Sequence, residues 1–311
     1  RIGVPHPRVR PRRSLYQGKK YLPLALLQFG RGCTVGCDYC ATGAYARGTH
    51  HVRQVDEVLR EIDGIDRRNL FFVDDNIVAD FAAAKELFRE LRGMRVRWVS
   101  QASLDMTTDP KLMDLMVQSG CLGHVVGFES LDVRNLDSVG KKVNYRGVDE
   151  RYAREIAILR DYGLQTWAAF TLGYDYDTVE SMDVLLEFAL ANRFTFAAFN
   201  VLMPYPGTRF YHALREQGRL FYDGRWWLHP EYRFNHAAFR PARMTPKELT
   251  EAGFHCRSVF NGPASIARRA FDLKTNMRNP LRFAIYALYN PLFRKETFKK
   301  HGMRLGVTGD V

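Results

Sequence analysis

The sequence predicts an α/β fold, a partial (β/α)6 parallel barrel with a mainly helical C-terminal extension. Six short apolar runs alternate with helical runs up to about Pro204, and this alternation is typical of parallel strands joined by right-handed crossovers. Polar or glycine-containing segments follow most of these runs, at the end where parallel barrels carry their chemistry. Six units are too few for a closed eight-stranded barrel, so we expect an open one.

The predicted strands are near-continuous apolar runs, which favours burial on both faces of the sheet. Pro23 weakens the start of the first one, because proline cannot donate to a strand ladder. The predicted strands are 21–30, 69–76, 96–103, 123–130, 164–173 and 194–204.

Helix boundaries are indicated by capping residues. Asp109 with Pro110 is an N-cap followed by proline at the first helical position, and Asp177 and Glu180 have capping-box spacing. A second capping box at Thr245 predicts a helix that runs to about residue 273. The helices predicted within the barrel are 78–94, 109–120, 152–163 and 177–193.

The bulk composition indicates a soluble globular chain. It has 311 residues, 46% hydrophobic and 26% charged, and no run of the ~18–20 apolar residues that a membrane span needs. We divide it into a basic linker or arm (1–20), the barrel (21–210) and an aromatic loop with a helical extension (211–311). The chain opens on Arg1 without an apolar signal core, so we expect a cytoplasmic protein, processed or cut from something longer.

The net charge of +12 is concentrated at the two ends of the chain. Basic ends can meet nucleic acid, anionic lipid or an acidic partner, or can be solvated surfaces. Residues 281–300 mix aromatic and basic side chains and could lie on a membrane surface or dock on the barrel as a helix. No RNA-binding module is recognisable, so we expect no nucleic-acid partner.

The stretch "GRGCTVGCDYC" places three cysteines, Cys33, Cys37 and Cys40, within eight residues. Crowded thiols in an odd total of five cysteines indicate a metal site in a reducing compartment rather than a disulfide framework. Thiolates select zinc or iron–sulfur. A structural zinc site requires a fourth ligand, and His50 or His51 is the nearest candidate. An iron–sulfur cluster held by three thiolates instead leaves one iron open.

This CxxxCxxC motif, with an aromatic residue before its last cysteine, resembles the signature of the radical S-adenosylmethionine (radical SAM) superfamily. The resemblance covers roughly residues 20–210. It implies that Cys33, Cys37 and Cys40 ligate a [4Fe–4S] cluster and that Tyr39 packs near the adenine of S-adenosylmethionine (SAM). In that family one electron from the cluster cleaves SAM to a 5′-deoxyadenosyl radical, which abstracts hydrogen from the substrate.

The same resemblance implies cofactor contacts at the ends of later strands. Where the family keeps a Gly-Gly-Glu-like segment, this chain reads Val-Asp-Asp-Asn, whose oxygens can accept from the methionine ammonium. "GFES" matches a polar contact to the methionine or ribose. The alternative role for each acid is a helix N-cap. The residues assigned to the cofactor are Asp74, Asp75, Asn76, Gln101, Ser103, Glu129 and Thr171.

Longer segments, such as "GFESLDVRNLDSVGKKVN", resemble a subgroup that often carries an N-terminal cobalamin-binding domain and includes lipid and natural-product methylases and ring-forming enzymes. That domain is not in this chain, so cobalamin could reach it only through another one. The resemblance implies a small-molecule or lipid substrate, methylated or rearranged, and a one-electron reductant such as flavodoxin or ferredoxin. The oligomeric state does not follow from the sequence.

Two other functions stay open at this stage. A radical SAM enzyme that modifies transfer RNA would give the basic ends a partner. An iron–sulfur electron carrier or a structural metal protein would need no SAM, although carriers usually close the cluster with four cysteines. The aromatic stretch 218–244 is either a substrate lid or packing for the C-terminal helices. Cys121 and Cys256 read as core residues.

Overall fold

A computed structural model describes residues 11–16, 18–19, 22, 24–141 and 148–305. Most of the basic arm predicted at 1–20 therefore lies outside the described residues, as does Pro23. The limits of the three predicted segments of the chain stay predictions.

The predicted open parallel barrel is confirmed. Six strands form one parallel sheet in the order β1-β4-β5-β6-β7-β8, and β2 pairs with β3 as an antiparallel ribbon. The sequence did not indicate that ribbon, and it splits the first predicted strand, 21–30, in two. The strands are β1 (Ala25–Leu27), β2 (Gly30–Gly32), β3 (His50–Val52), β4 (Asn69–Phe72), β5 (Arg97–Ala102), β6 (Cys121–Glu129), β7 (Gln165–Leu172) and β8 (Phe196–Val201).

The helices of the barrel connect its strands, and four further helices follow β8. They are α1 (Ala41–Ala46), α2 (Val55–Asp63), α3 (Phe81–Leu91), α4 (Pro110–Gln118), α5 (Val133–Ser138), α6 (Val148–Asp161), α7 (Val179–Ala191), α8 (Arg209–Glu216), α9 (Pro246–Phe260), α10 (Pro263–Ala270) and α11 (Pro280–Lys300).

The predicted caps are partly confirmed. Asp109 caps α4, and Thr245 forms the predicted box at the start of α9. The box at Asp177 and Glu180 was wrong: Thr178 caps α7, because Asp177 accepts from the backbone N–H of Gly173 and Tyr174 instead. The prediction of a single helix to residue 273 was also wrong, because α9 ends at Phe260 and Pro263 starts a new helix, α10.

Burial on both faces, as predicted, is found in β6 and β7, which have no exposed residue; in the other strands of the sheet one face is more open. One set of side chains packs under the helices; Trp98 stacks on Phe88 of α3, and Phe170 packs edge-on against Phe188 of α7. The opposite set is more open, with Gln101 and Asn200 exposed. This more open face is the concave side of the partial barrel.

Helix α11 packs against the amino ends of the last strands. Phe293 contacts Trp167 of β7 and Phe196 of β8, with ring centroids 4.6 and 4.9 Å apart. Gln165, at the start of β7, donates to the Arg282 carbonyl (3.1 Å). Along the described residues, no helix is long and apolar enough to cross a membrane.

Candidate functional site

The three-cysteine loop follows β2 and ends in α1. The Cys40 N–H donates to the Cys37 carbonyl (3.1 Å), which closes a tight turn between the last two cysteines, and Cys40 is the N-cap residue of α1. The chain enters the cysteine loop at Gly32. The φ of this residue is 94°, and a Cβ on it would lie 2.1 Å from the Thr49 carbonyl oxygen. Only glycine can adopt this entry into the loop.

Backbone hydrogen bonds hold the loop across the carboxyl end of the barrel. The Asp38 N–H donates to the Val139 carbonyl (3.0 Å), and the Phe210 N–H donates to the Asp38 carbonyl (3.0 Å). Arg209 pairs with the Asp38 carboxylate at 3.0 Å. Because Val139 follows α5 and Phe210 lies in α8, the loop is tied to segments that follow β6 and β8.

The cysteines form a set of three free, half-buried thiols on one loop. Burial raises the pKa of Cys33 and raises that of Cys37 to about 11, while the Lys141 ammonium lowers both. No three or more His, Cys, Asp or Glu side chains of the described residues are arranged to hold a metal ion. Three soft donors spread around a loop fit an iron–sulfur cluster, whose ligands surround a bulky core instead of meeting at one ion.

Asp74 and Asp75 lie beside this loop at the end of β4. Asp74 is fully buried; it accepts from the backbone N–H of Phe29 (3.0 Å) and of Gly30, and burial raises its pKa to about 7. Asp75 accepts from the Gly32 N–H (2.8 Å) and from Thr42 Oγ1 (3.0 Å), and lines a cavity of about 200 Å³. Both acids therefore brace the strand and helix that flank the cysteines.

Asn76 and Ser103 are brought together at the ends of β4 and β5. The Asn76 amide donates to Ser103 Oγ (2.9 Å), and its carbonyl oxygen accepts from the Ser103 N–H (3.2 Å). Gln101 stands two residues earlier with an exposed side chain. Of these three residues, Asn76 and Ser103 join two strand ends, and Gln101 has a side chain free to meet a ligand.

Glu129 ends β6 in a strained conformation. Its φ is 70°, which is rare for a residue with a side chain, and the register between β6 and β7 shifts here. The buried carboxylate accepts from Lys141 Nζ (3.0 Å) and Thr171 Oγ1 (2.7 Å). A Cβ on Gly127 would lie 2.3 Å from Glu129 Oε1, so a larger residue there would displace this carboxylate. Backbone strain held by such a network is typical of functional sites.

Tyr39 and three unpredicted residues complete this end of the barrel. Tyr39 packs edge-on against buried Tyr174, with centroids 6.0 Å apart. Asn135 donates to Asp177 (2.6 Å), and burial raises the pKa of Asp177 to about 6. Sequence reasoning missed Lys141, Asn135 and Asp177 as site residues; for Lys141 the one available signal was its place in "VGKK", shortly after the "GFES" strand.

The aromatic segment 218–244 lies beside the carboxyl end of β8. Trp226 and Tyr232 form a small separate core, and Trp226 donates to the Pro204 carbonyl (3.0 Å). Trp227 and Leu228 are 37% and 69% exposed. Packing thus explains half of the segment, and the other half presents apolar side chains at the rim of the barrel.

Comparison with known proteins identifies related chains. Residues 27–189 match the model of the Radical SAM superfamily. The chain is 28% identical over 257 residues to bacteriochlorophyllide d C-12(1)-methyltransferase of Chlorobaculum tepidum, covering 80% of this chain and 54% of that protein. It is 28% identical over 225 residues to hopanoid C-2 methylase of Rhodopseudomonas palustris, covering 68% of this chain and 42% of that one.

Among solved structures, the cobalamin-dependent SAM radical enzyme OxsB shares the fold. Its complex with aqua-cobalamin and SAM aligns with a TM-score of 0.61 at 13% identity, over 88% of this chain and 46% of OxsB. This chain therefore spans about half the length of the relatives it matches. The matched family model covers more than half of the chain and includes all three cysteines of the loop, so the chain belongs to the radical SAM superfamily, whose cofactors are a [4Fe–4S] cluster and SAM.

Proposed function

We propose that this chain is the catalytic barrel of a radical SAM enzyme that methylates a small-molecule, lipid or natural-product substrate. The observation that carries the proposal is the three-cysteine loop tied across the carboxyl end of an open parallel barrel. Methylation is favoured over rearrangement because two relatives that match most of this chain are named as methylases.

Cys33, Cys37 and Cys40 would hold the [4Fe–4S] cluster, which supplies the electron for reductive cleavage of SAM when it is bound. The half-buried thiols must lose their protons to become ligands. Lys141 assists, because its positive charge lowers the pKa of the Cys33 and Cys37 thiols against the opposing effect of burial. Tyr39 and Tyr174 would shield the site from water on one side.

The other predicted contacts divide into two groups. Glu129, Thr171 and Gln101 lie at or near the carboxyl ends of their strands, so we assign them to SAM. Asp75 borders the 200 Å³ cavity beside the loop and is assigned to SAM as well. Asp74 and Asn76 accept from backbone N–H groups of other strand ends, and Ser103 bonds to Asn76 and Asp105; we propose that these three residues position the cofactor-binding segments.

The rim of the barrel supports an apolar or aromatic substrate. Tyr205, Trp227 and Leu228 are exposed near the end of β8, where they could cover a bound substrate and exclude water from a radical reaction. A peripheral membrane contact through α11 would suit a lipid substrate. Its exposed residues include Phe283, Leu288 and Leu292, and basic residues follow in its last turns.

We propose that the methyl group travels through cobalamin carried by a domain outside this sequence, and that flavodoxin or ferredoxin supplies the electron. OxsB, which shares the fold, is described as cobalamin-dependent. The reducing chemistry of the site and its free thiols fit a cytoplasmic location. A simple electron carrier is the alternative that the cleavage assay below would reveal.

An anaerobic cleavage assay tests the proposed function. The reconstituted chain with SAM and dithionite should form 5′-deoxyadenosine and methionine, with and without added cobalamin. Cys37→Ala should lose this activity almost completely, because the cluster loses a ligand. Cys256→Ala removes a buried thiol outside the loop and should retain it. A cluster-loaded wild type that leaves SAM intact would identify an electron carrier.

A further inference from the structure

Lys141 is a buried cation held against the cysteine loop, and the family comparison assigns it no role. Its side chain is 15% exposed and pairs with Glu129 at 3.0 Å. A lone ammonium in such a place is costly unless it meets negative charge. Glu129 supplies that negative charge, and the resulting ion pair lies beside the cysteine loop.

The backbone around Lys141 fixes its position relative to the cysteines. Val139, two residues earlier, accepts from the Asp38 N–H within the loop (3.0 Å). At Gly140, where φ is 68°, a Cβ would lie 3.8 Å from the Gly36 carbonyl oxygen. The Lys141 N–H donates to the Leu136 carbonyl (2.9 Å), which anchors the segment to α5. The 139–141 segment thus lies directly on residues 36–38.

The two charges beside the loop have opposite signs. Burial alone would lower the pKa of Lys141, yet negative charge on Glu129 and on Cys37 outweighs it and raises that pKa. Lys141 lowers the pKa of Cys37, and Glu129 raises it. Replacing either residue therefore changes the electrostatic potential at the cysteine loop in opposite directions.

We propose that Lys141 is a positioning residue whose fixed positive charge raises the reduction potential of the cluster bound by Cys33, Cys37 and Cys40. Reduction adds one negative charge to the cluster, and a nearby cation in a poorly solvated site stabilises that added charge. Thr171 and Lys141 both donate to Glu129, which keeps the cation in place. The inference rests on the proposed function, because it requires the cluster.

A potentiometric titration of the reconstituted full chain tests the inference. EPR of the reduced cluster monitors the titration and gives its midpoint potential. Lys141→Met should shift the midpoint to a more negative potential, and Lys141→Arg should restore it to the wild-type value. Glu129→Gln keeps an acceptor oxygen for Lys141 but removes the negative charge, so its midpoint should shift the opposite way. Lys274→Met removes an exposed lysine paired with Asp161 and should leave the midpoint unchanged.

Iron and sulfide analysis separates the outcomes. A Lys141→Met chain with a full cluster and the wild-type midpoint would overturn the inference. If Lys141→Met assembles no cluster, the midpoint potential of Glu129→Gln decides. An unchanged midpoint in Glu129→Gln also overturns the inference, and a shift to a more positive potential supports it. A wild type without iron and sulfide would reject the proposed function itself, and with it this inference.

Discussion

The two ends of the barrel are built on opposite principles. The carboxyl end combines buried charges, strained backbone and exposed rings around the cysteine loop, with Glu129 at a φ of 70°. At the amino end, α11 packs aromatic rings beneath β7 and β8, and buried arginines donate to backbone carbonyls. The difference teaches that stability and chemistry are separated: changes at the amino end should weaken folding, and changes at the carboxyl end should weaken cofactor binding.

The largest expected effect on stability is at Arg269. This fully buried side chain donates to the carbonyls of Phe194, Thr195 and Phe260. Arg269→Met removes the donor that these three carbonyls share, although Thr195 also accepts from Asn290 and Phe260 from Ser265. Loss of these charged hydrogen bonds should lower the free energy of unfolding by about 3–5 kcal/mol. Denaturant unfolding of the apo chain measures it. A loss near that of a surface variant such as Arg268→Met would contradict the expectation.

Phe293→Ala should have the next largest effect on stability. It removes the ring that contacts Trp167 and Phe196 and opens a gap beneath the barrel. For this half-buried ring we expect a loss of about 2–3 kcal/mol, below the range for a fully buried phenylalanine. The cluster content per folded molecule should not change. Leu292→Ala, on the exposed side of the same helix, is the matched control, and equal losses in both would show that α11 does not seal this end.

Glu129→Gln tests the carboxyl end. Losing a charged hydrogen-bonding group should weaken SAM binding about 10- to 100-fold. The free energy of unfolding should also fall, because Lys141 keeps an acceptor oxygen but loses its counter-charge. Equilibrium binding of SAM to the cluster-loaded chain measures the first effect. Unchanged affinity would remove Glu129 from the cofactor site. Glu180→Gln, at the exposed start of α7, controls for loss of a carboxylate.

The smallest expected effect is a pH dependence from His124, buried on the helix side of β6 beside Ser100 and Cys121. Burial lowers the pKa of His124 to about 3, below the ordinary value of 6.5. Between pH 3 and pH 6.5 the unfolded chain therefore binds one more proton than the folded chain. Stability should therefore fall as pH drops below about 6.5, by at most about 1.4 kcal/mol per pH unit from this group. Asp74 and Asp177, with raised pKa values, act in the opposite direction.

Comparing His124→Asn with wild type isolates this contribution. The difference in unfolding free energy between the two chains should narrow as pH falls from 7 toward 5. A difference that stays constant over that range would show that His124 does not titrate on unfolding.

Much of the fold followed from the sequence, and the reasons for the failures are physical. The six strands were found because apolar runs recur between helices, and Asp109 was recognised as a cap because its partner is local. The β2–β3 ribbon was missed because "GRG" and "HHV" carry no strand pattern. Asp177 was misassigned because its bonds go back to the preceding loop at Gly173, not forward into the helix.

The site was predicted to a similar extent. The cysteine motif identified the family, and the residues predicted at the strand ends lie at the carboxyl end of the barrel. Lys141 was missed because its contact with Glu129, twelve residues earlier, forms only in the folded chain, and its place in "VGKK" is a weak signal. The different roles of the acids likewise depend on which donors each carboxylate meets: Asp74 meets backbone N–H groups, and Glu129 meets two side chains.

The proposed function depends most on a [4Fe–4S] cluster that the 33–40 loop holds with one iron open to SAM. EPR of the anaerobically reconstituted, dithionite-reduced chain, recorded with and without SAM, tests it most directly. We predict a [4Fe–4S] signal that changes shape when SAM is added and that is absent in Cys37→Ala. A zinc-loaded protein, or a cluster whose signal is identical with and without SAM, would contradict the account.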